Sequence, residues 1–367
     1  MARPTRGSSI PFGLRARRSW FRLGAVVLLT ATACSGTDPA AEPSPRPPRA
    51  SPDPPATMTS PAPQETAPVT RPRPTFREYD LPAGARPHDV APAADGRRVW
   101  FTAQSAGYMG LFNPRNGRTT RIPLGAGSRP HGVIVGPDGD AWGTDSGLNA
   151  IVRIDADSHE VSRYPLEGVG PANLNTAAFD GDGILWFTGQ SGYYGRVNPR
   201  TGRVRVFDAP RGTGPYGIAA TPEGVVWYSS LAGSYIARIR PNGRVEVVDT
   251  PTSGGGARRI WSDSGGRLWV TEWYAGKLAR YNPATERWRE WDIPGSAQPY
   301  AVFVDERDDV WVTDFGANAL WRFRQDNQRF RRLPIPSARA DVRQLLGRPG
   351  QVWGAESGTN KLVVLRT

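Results

Sequence analysis

Seven tryptophans constrain this chain more than any other feature. Trp100, Trp142, Trp186, Trp227, Trp269, Trp311 and Trp353 recur at spacings of 42, 44, 41, 42, 42 and 42 residues. A period in the forties is that of a β-propeller blade, a four-stranded unit that buries its faces only by stacking in a ring. The unit around Trp227 has the expected parts. Tyr216–Ala220, Val225–Ser229, Tyr235–Ile239 and Arg244–Val248 alternate like strands, and Thr221-Pro222-Glu223-Gly224 and Pro241-Asn242-Gly243 supply turns. The recurrent tryptophan reads as inter-blade core, with carbohydrate stacking as the alternative.

The phase of the repeat predicts how the ring closes. After Trp353 one strand follows, Lys361–Leu365, so the seventh blade lacks its fourth. Phe76-Arg77-Glu78-Tyr79-Asp80-Leu81-Pro82 is similar to the fourth-strand segment Arg289-Glu290-Trp291-Asp292-Ile293-Pro294. The expected fold is therefore an all-β, seven-bladed β-propeller over residues 76–367, its N-terminal strand closing the last blade and removing an exposed sheet edge.

The first 75 residues read differently. Arg15-Ala16-Arg17-Arg18, a short apolar run over Leu23–Leu29 and Ala31-Thr32-Ala33-Cys34 have the order of an export signal over residues 1–34. Small residues before Cys34 resemble a bacterial lipobox, and Arg17-Arg18-Ser19-Trp20-Phe21 loosely resembles a twin-arginine motif. Residues 35–75, rich in Pro, Ala, Ser and Thr, read as a disordered tether. The expectation is an extracytoplasmic monomer, a membrane lipoprotein lipidated on Cys34 or a secreted protein, touching the membrane through that anchor only. Cys34 is the sole cysteine, which excludes an intramolecular disulfide and Cys-x-x-Cys metal sites. The net charge of +12 divides between this leader and scattered blade edges, without the dense basic run that nucleic-acid binding would need.

In a propeller the first strand of each blade starts, and the second ends, at one mouth. The strand starts carry His88, His131, Asn173 to Asn175, Tyr216, Arg258, Tyr300 and Arg343; the strand ends carry Gln104, Asp145, Gln190, Ser230, Glu272, Asp314 and Glu356. Two of three histidines, with tyrosines, arginines and carboxylates on one rim, point to a binding site for a small molecule or cyclic peptide. His159 reads as a solvated turn residue. No Gly-x-Ser-x-Gly elbow, phosphate loop or dinucleotide fingerprint is present.

The units Arg129-Pro130-His131-Gly132-Val133, Gly214-Pro215-Tyr216-Gly217-Ile218 and Leu268-Trp269-Val270-Thr271-Glu272-Trp273 resemble those of the streptogramin B lyase (virginiamycin B lyase) family. The resemblance spans the whole repeat region. It implies a Mg²⁺-assisted elimination that opens a cyclic depsipeptide antibiotic at its ester, inactivating it. Carried over by position, His131 would be the base, His88 a substrate contact and Asp145 a metal ligand, with Glu356 recruited from the adjoining blade. The family's remaining ligand position is Arg129, a cation expected to keep His131 neutral and to hold the departing carboxylate. Tyr216, Arg258, Trp273, Tyr300 and Arg343 complete the expected substrate surface. Two other functions fit the same mouth: a non-catalytic ligand-binding or sensor propeller, and a lactone-hydrolysing propeller with Ca²⁺ on Asp145, Asn175, Glu272, Asp314 and Glu356. Asp145 and Glu356 near His131 would favour catalysis, whereas Arg258 and Arg343 paired to Glu272 and Glu356 would favour binding alone.

Overall fold

The computed structural model describes residues 74–367. The export signal, Cys34 and all but the end of the tether lie outside the described residues. The described chain forms twenty-eight strands in seven four-stranded antiparallel sheets, a seven-bladed β-propeller without helices. In six blades the strands follow chain order; in the seventh, Thr75–Asp80 is the outer strand beside Lys361–Arg366, Gln351–Glu356 and Val342–Arg348. Thr75 pairs with Arg366 and Asp80 with Lys361, so the first strand of the fold joins the last in unbroken register.

The repeated tryptophans are no more than 4% exposed, which leaves no face for a sugar. Several are also fixed by polar contacts. The indole N–H groups of Trp186, Trp269 and Trp311 donate to Asp180, Asp263 and Asp305 at 2.7–2.9 Å. The same aspartates cap the turn between the first two strands, accepting for example from the backbone N–H of Ile184, Arg267 and Asp309. Each such carboxylate therefore ties a tight turn to the inter-blade core.

Two further features position the mouth. Every first strand is bulged near its start, where register shifts between Pro87 and Val90, Pro130 and Gly132, Leu174 and Ala177, Pro215 and Ile218, Ala257 and Ile260, Pro299 and Val302, and Val342 and Leu345. A bulge breaks the two-residue alternation, so neighbouring residues can address one side. In five blades a hydroxyl two residues after the tryptophan then bridges to the next blade. Thr102, Thr144, Thr188, Ser229 and Thr271 donate at 2.5–3.0 Å to the backbone carbonyls of His131, Asn175, Tyr216, Arg258 and Tyr300. The hydroxyls of Thr102, Thr144 and Thr271 also accept from Asp89, Gly132 and Arg259 N–H within their own blades. The bulge leaves these buried backbone groups without ladder partners, at about 1–3 kcal/mol each if unmet, and the hydroxyl meets them. Blade 7 has Ala355 at this place, and there the side chain of Gln344 crosses the seam to accept from Val90 N–H at 3.0 Å.

Candidate functional site

The bulge residues of the seven first strands converge around the channel. His88 and His131, from blades 1 and 2, pack ring on ring with centroids 3.8 Å apart. Both are buried. His88 Nδ1 lies 2.8 Å from Asp89 Oδ1, and Arg259 Nη2 donates to the same oxygen at 3.2 Å. Asn175 Nδ2 is 3.5 Å from His131 Nε2, while His131 Nδ1 and Asp89 Oδ2 are buried with no partner. Asp89, Arg259, Gln344 and Thr176 line a cavity of about 30 Å³, room for a water molecule.

Electrostatics keep both imidazoles neutral. Burial drives the His88 pKa well below the ordinary histidine value, helped by Arg343, Arg259 and Arg258. Burial does the same for His131, with His88 and Arg259 adding to it and Asp89 opposing. Burial raises Asp89, against the pull of Arg259. With Asp89 as a carboxylate, accepting from Arg259 as well, the contact places the His88 proton on Nδ1 and leaves a lone pair on Nε2.

Across the channel stand the aromatic and cationic residues. Arg258 lies over Tyr300 at 3.7 Å from the ring centroid, over Trp273 at 4.4 Å, and donates to Tyr216 Oη at 2.8 Å. The Tyr216 and Tyr300 hydroxyls are 2.6 Å apart. Burial would raise Tyr300, but Arg258, Arg259 and Arg343 outweigh it and hold its pKa below the ordinary value; Tyr216 is raised, by burial first and then by Tyr300. Arg343 donates to Ser357 Oγ at 2.7 Å. Trp273 is edge-on to both Tyr300 and Phe315. The strand-start residues His88, His131, Tyr216, Arg258, Tyr300 and Arg343 thus lie in or beside the mouth, and Trp273, from the expected substrate surface, packs against Arg258 and Tyr300. Asp89, Arg259 and Gln344, each one residue beyond a strand-start position, were missed.

The sequence profile of the virginiamycin B lyase family matches residues 64–296. The chain belongs to the virginiamycin B lyase family. No curated protein sequence matches it. Among solved structures, a streptogramin B lyase is 24% identical, with a TM-score of 0.73 over 80% of this chain and 97% of that one. Virginiamycin B lyase from Staphylococcus aureus is 23% identical, with a TM-score of 0.75 over 80% of this chain and 99% of that one. A catalytically inactive His-to-Ala form of the latter, solved with quinupristin, is 23% identical with a TM-score of 0.74 over the same shares. At these identities the likeness is one of fold.

The metal shell carried over from the virginiamycin B lyase family does not form. Asp145 accepts from the backbone N–H of Arg129, Gly147 and Leu148 on one oxygen and from Ser128 Oγ on the other. It is the cap of a rim turn, and it touches neither histidine. Asp314 is used alike, accepting from Gln298 and Ala317 N–H and from the Trp321 indole. Glu356 is held by Thr359 Oγ1 beside Glu78 and Lys361, between strands of blade 7 and not beside His131. Arg129 is exposed and enters only through its backbone; the cation acting on His131 is Arg259. His88, Asp89 and His131 bring donor atoms within 4.8 Å of one another. Two imidazoles and one carboxylate already claimed by Arg259 are nevertheless a poor set for Mg²⁺, which takes oxygen ligands. The residues present do not fit that ion. The Ca²⁺ set expected for a lactone-hydrolysing site is dispersed for the same reasons. Arg258 and Arg343 do not pair with Glu272 and Glu356 either, so neither arrangement that was to separate catalysis from binding is realised. His159 occupies a turn with φ of 61°.

The two misassigned glutamates form a repeated device. Glu272 faces Glu290 with Lys277 beside it, and Glu356 faces Glu78 with Lys361 beside it; these are the chain's only lysines. Burial, then Glu290, pushes Glu272 up to about 8; burial pushes Glu356 up to about 7, with Glu78 adding and Thr359 opposing. A carboxyl raised on folding contributes stability fully below its ordinary value of 4.5 and loses it as pH rises through the folded value. Glu272→Gln removes that loss. Thermal melts at about pH 5 and about pH 9 should show the variant gaining on wild type at the higher pH. A difference in melting temperature that does not change with pH would refute the assignment.

Proposed function

We propose that the mouth catalyses an elimination that opens the ester of a cyclic depsipeptide, with His88 as the base. The observation that supports this best is the His88–Asp89 contact at 2.8 Å beside the His131 ring. A carboxylate that fixes Nδ1–H presents Nε2 as a neutral base, the state that abstracting a carbon-bound proton needs. His88 Nε2 takes a proton from carbon next to a carbonyl. The C–H electron pair becomes a C=C bond, and the ester C–O bond breaks, its electron pair leaving with the carboxylate. His131, packed on His88 and near Asn175, orients the base and contacts substrate. The position match that made His131 the base is left without its accompanying carboxylate, because Asp145 caps a rim turn.

Family membership and the fold shared with a lyase solved with quinupristin favour this substrate class. Incubation of the metal-stripped full chain with a streptogramin B tests it through ring opening. Saturable binding without opening would replace it by a ligand-binding propeller. In the same reading the protein works outside the cytoplasm on a lipid-bearing Cys34. Cys34→Ala should move it from the membrane to the soluble fraction; identical fractionation of variant and wild type would remove the anchor.

A further inference from the structure

Three guanidiniums, those of Arg258, Arg259 and Arg343, act on His88, and the carboxylate in contact with this group is Asp89. Asp89 is engaged by Arg259. Among the described residues Arg258 and Arg343 have no carboxylate partner: Arg258 bonds Tyr216 Oη and Arg343 bonds Ser357 Oγ. Arg258 Nε and Arg259 Nε are buried with no acceptor at all. Arg258 and Arg343 approach the same ring, Tyr300, at 3.7 and 5.9 Å. Keeping two unpaired, half-buried cations this close is unfavourable unless an anion joins them. The histidines are neutral and add no charge.

The surroundings say what kind of anion. Trp273 and Phe315 flank Tyr300, and Tyr274, on the same rim turn, is the one exposed large hydrophobic side chain among the described residues, at 67%. An inorganic oxyanion would use the guanidiniums and leave this aromatic surface bare.

We propose that the mouth binds the carboxylate of an organic acid bearing an aromatic or apolar group, through Arg258 and Arg343 and without a divalent metal. Planar guanidinium N–H groups match carboxylate geometry, and the aromatic rim takes the apolar part. This deepens the proposed elimination, whose departing group is a carboxylate, but it needs only that the mouth be the ligand site.

The test is calorimetric titration of the full chain, stripped of metal on a chelating resin and free of carboxylate buffers. The probes are phenylacetate, its neutral analogue phenylacetamide, and inorganic phosphate. Phenylacetate should bind saturably, and more tightly than either of the others. Arg258→Gln and, separately, Arg343→Gln should each weaken it by about ten-fold or more, the worth of one charge-assisted hydrogen bond. Near-UV circular dichroism checks that each variant keeps its aromatic packing; if Arg258→Gln does not, Arg343→Gln decides. Equal binding of phenylacetamide, preference for phosphate, a requirement for added Mg²⁺ or Mn²⁺, or no binding of phenylacetate would each overturn the proposal. Turnover of a streptogramin B is read separately. Binding without turnover defeats the elimination and keeps the carboxylate site, while turnover without phenylacetate binding does the reverse.

Discussion

Deleting residues 1–80 should destroy the fold as a soluble monomer, while deleting residues 1–73 should leave it intact. The shorter deletion keeps Thr75–Asp80, the outer strand of blade 7. The longer one removes six register pairs with Thr75 to Asp80 and uncovers Lys361–Arg366. It also removes Tyr79, stacked on Trp353 at 5.8 Å and packed on Phe112 of blade 1 at 5.1 Å. Glu78 goes too, with its bonds to Ser337 and Lys361. Lost hydrogen bonds and burial together are on the order of 5 kcal/mol or more, a large share of a domain's stability. The bare strand is in addition a template for pairing between molecules. Size-exclusion chromatography with thermal melts decides it. A monomeric 81–367 fragment as stable as 74–367 would mean that the strand does not secure the ring.

The second large effect is on chemistry. In the streptogramin B assay, His88→Ala should lower kcat by at least about a hundred-fold, the usual contribution of a general base, and leave folding unchanged. Asp89→Asn should lower kcat strongly too, because an amide no longer enforces the Nδ1–H tautomer and leaves Arg259 without its carboxylate. His131→Ala should chiefly raise KM, since its ring lies against His88 without a carboxylate of its own. The reverse pattern, with kcat lost on His131→Ala and kept on His88→Ala, would return the base role to His131.

The parts that were legible in the sequence share a cause. Tryptophans at a fixed period report inter-blade packing directly, and the missing fourth strand after Trp353 obliges the chain to find one elsewhere. The residues at each strand start were legible because chain direction alone places them at one mouth. Asp89, Arg259 and Gln344 were not. Strict alternation sends them to the face opposite His88, Arg258 and Arg343, and only the bulge turns both residues of each pair toward the channel. A fixed offset from each tryptophan could have found them, because Thr102 and Thr271 mark the bulges of Asp89 and Arg259.

The rim carboxylates failed for a different reason. Asp145-Ser146-Gly147 and Asp314-Phe315-Gly316 place an aspartate two residues before a glycine, a turn-capping pattern in which the carboxylate serves backbone N–H groups. Chain direction puts these residues near the mouth, but their acceptors are consumed by the turn. Sequence position gave the distance from the histidines along the rim; it could not give the direction of the side chains.

Elimination at the histidine mouth, as proposed, proceeds with no divalent metal at work. The most direct measurement is mass spectrometry of a streptogramin B after incubation with the metal-stripped full chain, with His88→Ala as control. Elimination opens the ring without adding water, so the account predicts a linear product of unchanged mass carrying a new C=C bond, formed by wild type and not by the variant. A product heavier by one water, or opening that appears only when Mg²⁺ is restored, would contradict it.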